Sequence, residues 1–261
     1  MINRLGIQLF TIRDYMQDEK SMDESFEKLA KLGYTTVQTA GYEGEAMANA
    51  AKKHGITVVG THYNTQKIFE NPEETIAVHK LIGTTNIGIG GMPGEARESY
   101  ENLMAFIEKF NKAAETYAKE GFKLTYHNHS FEFVAINGTK TIMDYLYENL
   151  DPKNTSFVLD TCWVAHGGAD VRHWLEKLAG RVDILHLKDI KPFLDSESKM
   201  GGVSHKISEI GNGSIWWDGV LETADKTGVK EYVVEQDVNW IDGDPFKSLE
   251  FSKNYLAKYM K

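Results

Sequence analysis

Cysteine is almost absent from this chain: Cys162 is the only one in 261 residues. That excludes an intramolecular disulfide framework and fits a reducing cytoplasm. Proline is scarce, at five residues, and no Pro- or Ser-rich linker or low-complexity run divides the chain. A single domain over residues 1–261 is therefore expected. No apolar run approaches the ~20 residues that a membrane-spanning helix requires. The stretch Met1-Ile-Asn-Arg-Leu-Gly-Ile7 enters a strand pattern without a charged start, an apolar stretch or a small-residue cleavage site. No secretion signal is read there, and a cytoplasmic location is expected. Basic charge is also short, 29 residues against 38 acidic, for a net charge of −9. That argues against nucleic acid, whose phosphates need clustered Lys and Arg. Short basic pairs such as Lys52-Lys53 lie on predicted helix faces and read as solvated surface. A small-molecule partner is expected instead, and a homo-oligomer remains open.

What the chain has is a repeated phrase of amphipathic helix, glycine, then apolar strand. It appears at Lys31-Leu-Gly33 before Tyr34 and at Lys53-His-Gly55 before Ile56. It recurs at Gly83, Gly121, Gly180 and Gly228. Glycine just past a helix closes it in the left-handed conformation without a Cβ penalty. Strands are predicted near 5–10, 34–40, 56–62, 85–90, 122–129, 155–160, 182–188 and 231–236. Helices are predicted near 21–32, 43–54, 71–82, 94–120, 139–149, 170–178, 214–227 and 245–259. The segment 94–120 reads as one long helix and 189–213 as the longest irregular connection. Strands alternating with helices imply parallel βαβ units, and eight of them close as an α/β fold of the (β/α)8 TIM barrel type. An open doubly wound sheet would want a glycine-rich turn after the first strand, where Phe10-Thr-Ile-Arg-Asp-Tyr15 has no glycine.

Four of these strands run from apolar residues into a hard metal ligand: Leu124-Thr-Tyr-His127-Asn-His129, Phe157-Val-Leu-Asp160, Ile184-Leu-His186 and Val233-Val-Glu235. An unpaired carboxylate is costly to bury, and in a barrel all four strand ends share one rim. A shared divalent cation, Mn, Mg, Co or Zn, is the simplest physical solution for oxygen and imidazole ligands without thiolate. Asp160, His186 and Glu235 are the expected ligands. On strand five, His127 and His129 share parity, and Glu132 follows where the chain leaves the strand. Either His127 or Glu132 completes the shell, and His129 reads as a residue that supports a ligand. Both His127 and Glu132 are also candidates to move a proton, with Glu235 as ligand and base. Lys188 has the parity to face inward, to stabilise an oxyanion or to pair with Asp189. His62, His129 and Gln8 are candidate substrate contacts at the mouth, with Gln38 beside them. Cys162 reads as packing, and His54, His79, His173 and His205 as surface. His166 and the pair Trp216-Trp217 are weaker candidates for the site.

These residues resemble the xylose isomerase-like barrel superfamily, in particular its sugar phosphate isomerase/epimerase branch. The signposts are Leu32-Gly-Tyr34, Leu159-Asp160, His186-Leu-Lys188-Asp189, the loop Ile210-Gly-Asn-Gly-Ser-Ile215, and Glu235. The resemblance covers essentially the whole chain. It implies a divalent metal held by a carboxylate on strand five, Asp160, His186 and Glu235. Two departures stand out. His127-Asn128-His129 replaces the common Glu-Asn-His, and Trp163 stands where many relatives have His. A similar His-rich strand five occurs in inosose dehydratase-like members and in keto-sugar-processing proteins of gut bacteria. The function expected is a metal-dependent isomerase or epimerase working on a ketose, an aldose or a keto-sugar derivative through an enediolate. A dehydratase or other lyase, including keto-glycoside elimination, is the runner-up. An endonuclease IV-type phosphodiesterase and a non-catalytic sugar-binding barrel are remote alternatives.

Overall fold

A computed structural model describes residues 1–261. Its eight main strands are β1 (Leu5–Gln8), β2 (Thr36–Ala40), β3 (Thr57–His62), β4 (Asn86–Ile89), β5 (Lys123–His127), β6 (Thr155–Asp160), β7 (Val182–Leu187) and β8 (Glu231–Val234). They form one parallel sheet in the order β3-β2-β1-β8-β7-β6-β5-β4. Between β3 and β4 the ring closes through a single bridge, Tyr63 to Ile89, in which the Tyr63 N–H donates to the Gly88 carbonyl at 2.8 Å. The fold is a nearly closed (β/α)8 barrel, as expected from the sequence.

Helix ends follow local chemistry. The helix Glu19–Leu32 starts at a capping box between Asp18 and Ser21 and ends at Gly33 with φ +85°. At the seam between β3 and β4, Gly88 is required by space: a Cβ there would lie 2.1 Å from the Thr61 carbonyl oxygen. His79 stitches the same seam and is buried, against the expectation of a surface residue. Its Nδ1–H donates to the Thr75 carbonyl at 2.7 Å, and its Nε2 lies 2.9 Å from the Thr61 hydroxyl. That hydroxyl in turn accepts the Gly88 N–H. The surface reading failed because the helix Pro72–Ile82 turns its His79 face inward, where burial lowers the imidazole to about 4.

Three element expectations need correction. Residues 94–120 are not one helix: a short 3-10 turn, Gly94–Arg97, precedes the helix Tyr100–Ala118, which Ser99 caps. The 189–213 connection is largely an antiparallel hairpin, Asp189–Leu194 with Val203–Ser208. Two short helices, Thr65–Glu70 and Thr161–His166, lay outside the predicted elements.

The core has two parts. A cluster of 54 residues fills the space between strands and helices. A separate trio, Val158, Ile184 and Val233, comes from β6, β7 and β8. Ile184 reaches across to β3, which is not a neighbour of β7, so tightly that a Cβ on Gly60 would lie 2.8 Å from its Cδ1. The trio therefore plugs the barrel interior. Because strand side chains alternate faces, the residues two places on from that plug point inward above it. They are Asp160, His186 and Glu235.

Candidate metal centre

One side-chain atom each from His127, Asp160, His186 and Glu235 converges at the C-terminal mouth, all within 4.8 Å of one another and all buried. The Asp160 Oδ2 lies 3.6 Å from His127 Nε2 and 3.6 Å from His186 Nδ1. His186 Nδ1 lies 3.1 Å from Glu235 Oε2. Neither Asp160 Oδ2 nor His127 Nε2 has a hydrogen-bond partner. Buried polar atoms are nearly always satisfied, so two orphans facing each other inside a set of imidazoles and carboxylates fit a cation.

The atoms behind the cluster aim it. His127 Nδ1–H donates to the Gly90 carbonyl at 3.0 Å, which turns Nε2 toward Asp160. His186 Nε2–H donates to Gln38 Oε1, which turns Nδ1 to the carboxylates. Asp160 Oδ1 caps the helix Thr161–His166 by accepting the Trp163 N–H at 2.8 Å, so Oδ2 alone faces the centre. Asn128, a residue the sequence reading assigned no role, accepts the Asp160 N–H through Oδ1 at 2.9 Å. Such outer contacts fix tautomer and orientation in metal sites.

The charges are tightly coupled. Burial works against ionisation of Asp160 and Glu235, but Lys188 and the neighbouring imidazoles hold both carboxyls below their usual range. Burial pulls His186 down, yet Glu235 and Asp160 outweigh it and lift the imidazole to about 9. Lys188 is buried, with Nζ 3.1 Å from Glu235 Oε2, 3.8 Å from Asp160 Oδ2 and 2.6 Å from Asp237 Oδ2. Its ion-pair partners are these three; Asp189 instead accepts backbone N–H groups of Gly211, Gly213 and Ile215 and the Trp217 indole N–H. Asp237 went unremarked in the sequence; lying two residues past Glu235, it shares that residue's parity, which is the signal that was there to read.

Glu132 is not in the convergent group. It is fully buried, accepting the Tyr126 O–H at 2.6 Å and the His129 N–H at 2.8 Å. Burial raises its carboxyl to about 7. The chain turns into the 3-10 segment Phe131–Phe133 directly after β5, and that turn carries the Glu132 carboxylate back onto its own strand. His129 lies beyond the strand end, its ring centroid 4.8 Å from that of His127. His62 stands at the mouth, 4.6 Å from the His127 ring and 5.4 Å from the His186 ring. Gln8 Nε2 donates to Gln38 Oε1 at 3.0 Å and lies 3.4 Å from His62 Nδ1. Burial and the neighbouring imidazoles keep His62 neutral, with an unpartnered Nε2. Cys162 is buried packing, as expected. Of the remaining histidines, His54 pairs with Asp23 at 2.8 Å, and His166 packs on Trp163. Trp217 is buried, while Trp216 is exposed.

The chain belongs to the xylose isomerase-like TIM barrel family, whose model matches residues 26–243. It is 31% identical over 209 residues to an inosose dehydratase of Mesomycoplasma hyopneumoniae, covering 70% of this chain and 67% of that one. It is 28% identical over 160 residues to an inosose dehydratase of Geobacillus thermodenitrificans, of which it spans only 53%. Among solved structures, a sugar phosphate isomerase/epimerase of Parabacteroides distasonis superposes with a TM-score of 0.81 at 22% identity, over 98% of this chain and 96% of that one. A xylose isomerase-like barrel protein of Mycobacterium smegmatis in complex with magnesium superposes with a TM-score of 0.71 at 12% identity, over 99% and 98%. At those identities the structural likenesses establish the fold. No helix of the chain is long and apolar enough to cross a membrane.

Proposed function

We propose that this chain is a divalent-metal-dependent enzyme that works on a polyhydroxylated carbonyl compound through an enediolate, as a sugar isomerase or epimerase. The observation that carries this is the convergence of His127, Asp160, His186 and Glu235 around two unpartnered buried atoms. In this reading the strand-five ligand is His127 rather than Glu132. Two imidazoles and two carboxylates suit Mn, Co or Zn better than Mg. An ion held there supplies Lewis-acid polarisation of a carbonyl and its neighbouring hydroxyl. Glu235 takes the proton from the carbon beside the carbonyl. Lys188, 3.1 Å from the same carboxylate, lends positive charge to the oxygen that becomes negative. His62, neutral and held through Nδ1 near Gln8, offers Nε2–H to a substrate oxygen.

A second reading, dehydration, shares the first proton transfer and differs only in losing a β-hydroxyl afterwards. The inosose dehydratase relatives, at 28–31% identity, favour it. The two are separated by incubating the Mn-loaded protein with keto-polyols in deuterated water. Deuterium gained at the α-carbon with all hydroxyls retained supports isomerase or epimerase; loss of water with exchange supports the lyase. Neither exchange nor loss across open-chain ketoses, aldoses and inososes would contradict enediolate chemistry.

A further inference from the structure

The mouth packs three carboxylates around one ammonium. Lys188 Nζ lies 3.1 Å from Glu235 Oε2 and 3.8 Å from Asp160 Oδ2, and both of those side chains belong to the convergent set. It lies closer to Asp237 Oδ2, at 2.6 Å. The lysine is buried, with its ammonium 4.7 Å from the centre of the Trp163 ring. A buried ammonium and a divalent ion that share two carboxylates repel each other, and each weakens the hold of those carboxylates on the other. The third carboxylate makes the two cations compatible. With neutral imidazoles as ligands, three carboxylates balance one ammonium and one divalent ion.

Asp237 is held where it can do this. Strand β8 ends at Val234, and side chains fix the segment that follows. The Gln236 N–H donates to Thr11 Oγ1 at 3.1 Å, and the Gln236 carbonyl accepts the Trp240 indole N–H at 2.9 Å. Gln236 Nε2 lies 3.1 Å from Glu209 Oε1, 3.3 Å from the Val238 carbonyl and 3.2 Å from that of Asn239. Arg13 donates to the Asp237 carbonyl at 3.0 Å. These bonds set the backbone and leave the Asp237 carboxylate, 21% exposed, to accept from Lys188.

We propose that Asp237 is a positioning residue for Lys188: it draws the ammonium off Glu235 and Asp160, so that those carboxylates serve a divalent ion while the lysine charge stays beside them. This rests on the reading of the mouth as a metal centre. Lysine is a compact charge on a flexible stem, so without Asp237 the ammonium settles on Glu235 and competes there. A carboxylate that attracted the ion directly would do so with or without Lys188. One that acts through Lys188 loses its effect once residue 188 carries no charge, and a double-mutant cycle separates the two.

The test titrates the full chain with Mn²⁺ at one fixed pH, by calorimetry, in the wild type, Asp237→Asn, Lys188→Gln and the double variant, with a melting curve for each. Asp237→Asn should weaken Mn²⁺ binding roughly tenfold, a modest share of the interaction between close, partly buried charges. Lys188→Gln should bind at least as tightly as the wild type. In the Lys188→Gln background, Asp237→Asn should change the affinity less than about twofold. Should Lys188→Gln melt early, Lys188→Met, of nearly the same length as lysine, supplies the same comparison. An equal loss from Asp237→Asn in both backgrounds would mean a direct or merely structural effect and overturn the proposal. Wild-type affinity in Asp237→Asn, or weaker binding in the Lys188 variants, would overturn it too, and each of these results leaves the metal reading intact. A wild-type chain that takes up no ion would overturn the metal reading and the role of Asp237 with it.

Discussion

His127 and Glu132 show how far single residues could be read from the sequence. The parity of β5 was legible, because alternation along a strand is fixed by its geometry, and it tied His127 and His129 to one face, which the structure turns to the mouth at His127. The destination of Glu132 was not, since it depends on where the chain turns after the strand and on the Tyr126 hydroxyl that receives it. The two positions separate experimentally. His127→Ala, like Asp160→Ala or His186→Ala, should lose the ion without unfolding the barrel, because rim residues contribute to function more than to packing. Glu132→Gln should keep the ion and cost about 1–3 kcal/mol of stability, since an amide cannot accept from both Tyr126 and His129. Metal analysis with melting curves checks both; an ion lost from Glu132→Gln and kept in His127→Ala would reverse the assignment. His186 adds a pH signature. Its carboxylate neighbours lift it to about 9, so near pH 7 its Nδ1 carries a proton that an incoming ion must displace. Mn²⁺ titrations in buffers of different ionisation heats should report about one proton released per ion at pH 7, and tighter binding as pH rises toward 9. No release would mean that His186 is not a ligand.

At the scale of elements, the alternation of strands and helices was legible because glycine marks the ends of several helices and apolar runs mark the strands. The missed pieces are those that tertiary contact defines. The hairpin Asp189–Leu194 with Val203–Ser208 was read as irregular because its strands carry Lys191, Pro192, His205 and Lys206 and expose Leu194, giving no buried alternation. The long helix was over-read because Ser99 is an ordinary polar residue in sequence and a cap only in place. His79 was missed because it serves a seam that no local pattern announces. That seam predicts a pH effect. Burial lowers His79 from the ordinary 6.5 to about 4 in the folded chain, so the unfolded chain binds the extra proton between those values. Its contribution to stability is full above pH 6.5 and is lost as pH falls toward 4, on the order of 3 kcal/mol. Denaturant titrations from pH 7 to 4 should show this loss, and His79→Gln should flatten it. An unchanged slope in the variant would remove His79 as its source.

For the whole molecule, the barrel explains why residues spread from 127 to 235 meet at one point. Parallel strands share a direction, the apolar plug of Val158, Ile184 and Val233 fixes the height, and two residues further along come Asp160, His186 and Glu235 of the convergent cluster. That arrangement was legible as a pattern of strand endings, while the tie of Lys188 to Asp237 and the outer contacts of Gln38, Asn128 and Gly90 were not, because they join segments far apart in sequence. The central claim is that these strand ends hold one ion. Elemental analysis of the purified, metal-reconstituted chain, read together with its melting temperature before and after chelation, tests this most directly. About one divalent ion per chain is expected, with a melting temperature that falls on chelation and recovers on re-addition, and with both responses absent in Asp160→Ala. A reconstituted wild-type chain that holds no ion and melts at the same temperature throughout would contradict the account.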